Sequence, residues 1–164
     1  MEKKIRLLIV DDEERFLKTL TQRLGLRDFE VTPVTDGLQA IAVAECEYFD
    51  LALVDLKMPK MGGEKVLERL KEKDPFIEVV ILTGHGSIDS AVQCTQLGSY
   101  SYLQKPCETD ELMKVLKDAY QKRVQNKLKV DEDRMDQLLS SATGTSPLSI
   151  LRKLRELEDQ ESSQ

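Results

Sequence analysis

Five polar side chains in this sequence stand just beyond short apolar runs: Asp11 and Asp12 after Val10, Asp55 after Val54, Thr83 after Leu82 and Lys105 shortly after Leu103. Carboxylates held about 4–6 Å apart in a partly desolvated cleft repel one another, so a set of them implies a bound cation. Hard oxygen donors open to solvent suit Mg²⁺, which keeps several waters and takes one or two carboxylates together with phosphate oxygens. A hydroxyl from Thr83 and an ammonium from Lys105 beside such an ion complete the parts that stabilise a phosphoryl group in transfer: metal and Lys105 on its oxygens, Thr83 as donor, one carboxylate as nucleophile. Asp55 is the candidate acceptor, forming an acyl phosphate. Each residue alone has a plainer reading, Asp11 and Asp12 as helix caps, Thr83 as a strand end and Lys105 as a solvated charge. Their recurrence at successive strand ends favours the chemistry.

Two hydrophobic periods alternate along the chain and would position these groups. The runs Ile5 to Val10, Phe29 to Val34, Leu51 to Val54, Ile77 to Leu82 (broken by Glu78) and Tyr100 to Leu103 have the length and β-branched content of strands. Between them apolar residues recur at helical spacing, as at Phe16, Leu17, Leu20 and Leu24, or at Leu112, Val115, Leu116 and Ala119. Asp36, Ser87 and the acidic opening Thr109-Asp110-Glu111 are helix start signals, and Gly25 and Gly98 are placed as stops. Five β-α repeats with short connections predict right-handed crossovers and an α/β fold, a parallel sheet with helices on both faces. The flavodoxin-like doubly wound order 2-1-3-4-5 fits, with strand two, which carries Glu30, Thr32 and Pro33, at an edge. In that order the ligand-binding switch point lies between strands one and three, where Asp11, Asp12 and Asp55 follow.

Composition bounds the alternatives. The chain has 164 residues, 40% hydrophobic and 33% charged, with a formal net charge of -6, which predicts one domain of common size plus a remainder. No apolar run approaches the roughly 20 residues of a membrane helix. Met1 to Lys4 lead straight into a strand without a signal-peptide core, so a cytoplasmic location is expected. Cys46, Cys94 and Cys107 with a single His supply no zinc set and read as reduced thiols used as small core hydrophobes. The acidic balance argues against nucleic acid as the main partner.

Val10-Asp11-Asp12, Leu53-Val54-Asp55-Leu56-Lys57-Met58-Pro59 with Gly62, Ile81-Leu82-Thr83-Gly84 and Tyr102-Leu103-Gln104-Lys105-Pro106 together resemble the receiver domain of two-component response regulators, over residues 4 to about 122. The resemblance implies that Asp55 is the phosphorylated aspartate and that Asp12 ligates Mg²⁺ directly. Asp11 would act on the ion largely through water, and Lys57 would offer it a backbone carbonyl. It further implies that Thr83 and Lys105 engage the phosphoryl group, that Tyr102 is the aromatic that follows Thr83, and that the Lys105–Pro106 peptide is cis. His85 is read as an exposed loop residue. The expected function is a phosphorelay switch phosphorylated by a sensor histidine kinase or a phosphotransfer protein, with output through the face of helix four, strand five and helix five. It catalyses only its own phosphorylation and dephosphorylation. A transcriptional regulator whose DNA-binding module is missing or unrecognised is the alternative. An aspartate-nucleophile phosphohydrolase is discounted, because Lys57 stands where a second Asp would be needed.

The expected division is a phosphoacceptor domain over 1–122 and a helical or partly disordered extension over 123–164. The last helix of the domain is read as running on past Val124 and Leu128, then being interrupted by Asp131-Glu132-Asp133 and by Ser140 to Ser146. A final amphipathic segment opens at Ser146-Pro147, carries Ile150, Leu151, Leu154 and Leu157 on one stripe, and gives way to a polar tail from Glu158. Two readings stay open: the extension packs back on its own domain or remains partly unordered, or its stripe docks a second protein or a second copy, giving a homodimer.

Overall fold

In the computed structural model, which describes residues 2–141 and 147–162, the strands are β1 (Ile5–Val10), β2 (Phe29–Val34), β3 (Leu51–Val54), β4 (Glu78–Thr83) and β5 (Ser101–Gln104). They alternate with α1 (Glu14–Gly25), α2 (Gly37–Cys46), α3 (Gly63–Lys73), α4 (Ile88–Gln96) and α5 (Thr109–Ser141), and α6 (Pro147–Ser162) follows. All strand pairs are parallel, in the order β2-β1-β3-β4-β5. This is the flavodoxin-like, doubly wound arrangement. By contacts the chain divides into two units, Met1–Val124 and Gln125–Gln164.

The period-two alternation of the strands builds two cores. Leu8, Val10, Ala52, Val54, Val79 and Ile81 point to one face, where Val66, Leu67 and Leu70 of α3 and Ala40 and Ala44 of α2 join them. Leu7, Ile9, Leu51, Leu53, Val80 and Leu82 point to the other, against Leu17, Leu20 and Leu24 of α1 and Leu112 and Leu116 of α5. Strands buried on both faces carry almost no polar residue, as interior parallel strands must. Pro33 pairs with Ile9 on β2, the edge strand, where a missing N–H is tolerated.

Helix starts follow the sequence signals. Asp36 caps α2 by accepting the Gln39 N–H at 2.8 Å. Ser87 accepts the Ser90 N–H at 3.1 Å in a reciprocal capping box. Gly98, at φ +95°, ends α4 in the left-handed region. Gly25 differs: it is the last residue of α1, and the chain leaves through Leu26 in right-handed geometry at φ −75°.

Several expectations are corrected. β4 and β5 each sit one residue later than the apolar runs suggest. Of the cysteines only Cys94 is in the core, where burial pushes its thiol up to about 11; Cys46 is exposed and Cys107 half-buried. Helix α5 continues through Asp131-Glu132-Asp133, whose side chains are all exposed to water. Ser140 and Ser141 donate back to the Asp136 and Leu138 carbonyls at 2.7 and 3.0 Å, which keeps them within the last turn. The rest of the expected break, 142–146, including the N-cap at Ser146, lies outside the described residues. The expected polar tail is helical from Glu158 to Ser162, as part of α6. No helix among the described residues is long and apolar enough to cross a membrane.

Glu78, which breaks the apolar run, is only 5% exposed at the start of β4, with Lys71 Nζ at 3.9 Å. Burial raises its pKa above the ordinary 4.5, against the pull of Lys71 and Lys122. A raised folded-state pKa means that the folded chain binds the proton more tightly, so this group's contribution declines as pH rises from below 4.5 through its folded value. Glu78→Gln is therefore expected to raise the urea midpoint at pH 7, with the gain shrinking as pH falls toward 4.5; equal midpoints at pH 7 would show that Lys71 already compensates the charge.

Candidate functional site

The sheet register brings the polar strand ends together. Val10 pairs with Val54, so Asp11 and Asp55 emerge side by side, and the Asp55 N–H continues the ladder to the Val10 carbonyl at 2.9 Å. Val54 pairs with Ile81 and Thr83 with Gln104, which sets Thr83 beside β3 and Lys105 just past the end of β5. The Lys105 N–H bonds the Thr83 carbonyl at 2.9 Å, and the Lys105–Pro106 peptide is cis.

Asp11 and Asp55 are 2% and 3% exposed, Thr83 is fully buried, and Asp12 is open to solvent. Oxygens of Asp11, Asp12 and Asp55 all lie within 4.8 Å of one another. Each buried carboxylate has one oxygen fixed by backbone: Asp11 Oδ1 accepts the Glu13 N–H at 2.9 Å and Asp55 Oδ1 the Leu56 N–H at 2.8 Å. The second oxygens face Lys105, whose Nζ lies 2.6 Å from Asp11 Oδ2 and 3.9 Å from Asp55 Oδ2. Burial pushes the Asp11 carboxyl above its ordinary pKa, against the hydrogen bonds from Lys105 and Glu13. Burial would lower the Lys105 ammonium, but the hydrogen bond and charge of Asp11 and the charge of Asp55 outweigh it and hold Lys105 above its ordinary value. The raised value favours keeping the proton on Lys105.

Glu13, which follows Asp11 and Asp12 after β1 in the candidate cleft, and three residues that the sequence did not assign to the site help to build it. Glu13 Oε1 is 3.2 Å from Lys105 Nζ, and the Phe16 ring lies 4.2 Å from the same nitrogen, a cation–π contact on the helix side. Gly63 lets the start of α3 close against β3: a Cβ there would stand 2.2 Å from the Asp55 carbonyl oxygen and 2.8 Å from Leu56 Cα. Gly86 makes room for Tyr102, since its Cβ would meet the Tyr102 hydroxyl at 2.6 Å. Tyr102 is half-buried and its hydroxyl is 2.8 Å from Ser90 Oγ. The His85 N–H donates to Thr83 Oγ1 at 3.2 Å, while the imidazole is exposed. Lys57 is exposed in the loop after Asp55. Glycine pairs at 62–63 and the 84–86 loop are visible in the sequence; the contacts that require them are not.

Asp11, Glu13 and Asp55 gather around one ammonium and Asp12 stands beside them, so the cleft carries excess negative charge. Its hard oxygen donors, in part open to water, fit a divalent cation of the Mg²⁺ kind.

A doubly wound parallel sheet with an acidic cleft at its switch point defines an α/β class distinct from the usual dinucleotide binders, since no Gly-rich phosphate loop follows β1. The family model of the response regulator receiver domain matches residues 7–117, and the chain belongs to that family. It is 38% identical over 117 residues to the transcriptional regulatory protein GlrR of Escherichia coli, covering 71% of this chain and 26% of that protein. It is 39% identical over 119 residues to the regulatory protein LuxO of Vibrio cholerae, covering 73% and 26%. Thus the chain spans about a quarter of the length of these curated relatives. Among solved structures, a CheY-like receiver domain from Methanospirillum hungatei is similar with a TM-score of 0.73 at 29% identity, over 75% of this chain and 98% of that one. Receiver domains are signalling switches rather than enzymes acting on a separate substrate, and the family generally binds Mg²⁺ at an acidic pocket.

Proposed function

We propose that Asp55 accepts a phosphoryl group from the phosphohistidine of a sensor histidine kinase or a phosphotransfer protein, and that the resulting acyl phosphate switches the domain, residues 1–122, between two states. The observation that carries this reading is the placement of Asp55 Oδ2. Its sister oxygen is tied to the Leu56 N–H, leaving Oδ2 as the nucleophile facing Lys105. Asp55 Oδ2 attacks phosphorus as the P–N bond to the donor imidazole breaks and the electron pair returns to that ring. Lys105 moves from Asp11 toward the incoming phosphoryl oxygens, and the Thr83 hydroxyl donates to one of them. Asp11, Asp12, Asp55 and the Lys57 carbonyl would hold Mg²⁺, which would supply charge neutralisation on the phosphoryl oxygens.

The acyl phosphate carries more negative charge than the carboxylate it replaces, and this draws Thr83 inward. Space opens for Tyr102, which exchanges its Ser90 hydrogen bond for a more buried position. The face formed by α4, β5 and α5, where Ile88 and Val92 are exposed, changes for an output partner. The chain acts as a cytoplasmic protein whose only chemistry is its own phosphorylation and dephosphorylation.

The test is labelling by a small acyl phosphate donor, followed by intact mass. One phosphoryl group is gained with Mg²⁺ and none with a chelator; gain without the metal would remove the cation from the reading. Thr83→Ala is expected to slow labelling by no more than about 10²-fold, the cost of one oxyanion donor. It should also abolish the phosphorylation-dependent change in hydrogen exchange across α4 and β5. If that change persists, the route through Thr83 and Tyr102 is wrong.

A second reading is favoured by the relatives, since GlrR is by name a transcriptional regulatory protein. The same switch would then govern a DNA-binding output. DNA affinity of the phosphorylated protein with a steep salt dependence would support it.

A further inference from the structure

The amino ends of the strands carry a second polar site, at the pole of the sheet opposite Asp55. An open concavity of about 560 Å³ is formed there by the start of β1, the α1–β2 loop and α5. Lys3, Lys4, Arg27 and Lys117 converge on it against two acids, Glu2 and Asp28, and its remaining surface includes Ile5 and Tyr120. A local excess of positive charge is unexpected in a chain whose net charge is -6.

Two of the cations have structural duties. Lys117 Nζ is 2.6 Å from Asp28 Oδ2, and Lys4 Nζ donates to the Gly25 carbonyl at 3.3 Å, where the negative end of the α1 dipole favours a cation. The side chains of Lys3 and Arg27 make no hydrogen bond or ion pair among the described residues. The positive field is concerted: Asp28 is held below its ordinary pKa by Lys117 first, with Arg27 and Lys4 adding to it.

We propose that this concavity binds a phosphorylated small molecule bearing an aromatic ring, of the nucleoside di- or triphosphate class. Lys3, Arg27 and Lys4 take the phosphates, with the Arg27 guanidinium suited to two oxygens at once. Tyr120, half-buried at the wall of the concavity, takes the base. The volume lies within the roughly 300–1,000 Å³ of small-molecule sites and exceeds what a phosphate ion fills, which leaves room for a ring beside the anion.

The experiment is calorimetric titration of the full chain with ATP and, separately, with inorganic tripolyphosphate, both in chelator so that the carboxylate cleft holds no metal. Single-site binding is expected, with ATP about tenfold or more tighter than tripolyphosphate, as one stacked base provides. Arg27→Ala combined with Lys3→Ala should weaken ATP by about tenfold or more, and Asp55→Asn should leave it unchanged. Tyr120→Leu should erase the preference for ATP over tripolyphosphate. Amide shifts in the NMR spectrum confined to Lys4, Asp28 and Lys117 would locate the site without any variant. No binding at millimolar ATP, equal affinity for the two ligands, an unaffected double variant, or binding of a poly-glutamate peptide in place of ATP would each overturn the proposal.

Discussion

Asp55→Asn is expected to reduce covalent phosphorylation to background, with either a small acyl phosphate or a phosphorylated kinase as donor. The amide lacks the negative oxygen that attacks phosphorus, and no neighbour replaces it. Asp11 Oδ2 is engaged by Lys105 at 2.6 Å and Asp11 Oδ1 by the Glu13 N–H, while Asp12 sits at the exposed lip. The same variant should be more stable than the wild type in chelator, because the charge of Asp55 is among the causes that raise the Asp11 pKa and its removal relieves that repulsion. Adding Mg²⁺ should narrow or reverse this gain, since ligand binding stabilises the wild type by mass action and the variant has lost a ligand. Intact mass and thermal midpoints, each with and without Mg²⁺, check both parts. A persistent mass gain would move the acceptor to another carboxylate, and a variant no more stable in chelator would mean that Lys105 already balances the cleft.

The fold was legible because its signals are local and periodic. β1, β3 and β4 are nearly unbroken apolar runs, and the alternation of Leu7 and Ile9 with Leu8 and Val10 sorts them between two faces. Once strand order follows from right-handed crossovers, Asp11, Asp12, Asp55, Thr83 and Lys105 must meet at one edge, so the site was legible through the topology. The residues that escaped act across elements. Phe16 reads as a core helix position, yet its ring faces Lys105 from the far end of the chain. Gly63 and Gly86 matter through what a Cβ would strike, which no one-dimensional pattern encodes. The run Asp131-Glu132-Asp133 reads as a break, but acidic side chains on an exposed helical face remain hydrated, and α5 passes through. Arg123 is the clearest case, because a basic residue late in a helix reads as solvated surface.

Arg123 is instead 1% exposed, and its removal is expected to be among the most destabilising single changes in the chain. Nη1 lies 3.2 Å from Asp74 Oδ2 and Nε 3.4 Å from Asp50 Oδ1, with the guanidinium carbon 4.9 Å from the centre of the Tyr48 ring. Both carboxylates also hold backbone: Asp50 Oδ2 accepts the Arg6 N–H and Asp74 Oδ1 the Phe76 N–H, each at 2.9 Å. The guanidinium thus links α5 to the entrances of β3 and β4. Desolvation pulls its pKa down to about 10, and Nη2 is buried without a hydrogen-bond partner, so the cluster gains little net stability over an apolar equivalent. Breaking it is a different matter. Arg123→Ala strands the two carboxylates and opens a cavity, at an expected cost of about 3–5 kcal/mol. Arg123→Met, which keeps most of the stem volume, should lose less, and the excess of Ala over Met measures packing. Adding Asp50→Asn and Asp74→Asn to Arg123→Met should recover a large part of the loss, because no uncompensated charge is left. Urea denaturation of the four proteins separates these contributions. If Arg123→Met matches the wild type, the clamp contributes nothing; if the triple variant is no better than Arg123→Met, the loss lies in the severed tie between α5 and the strand entrances rather than in stranded charge.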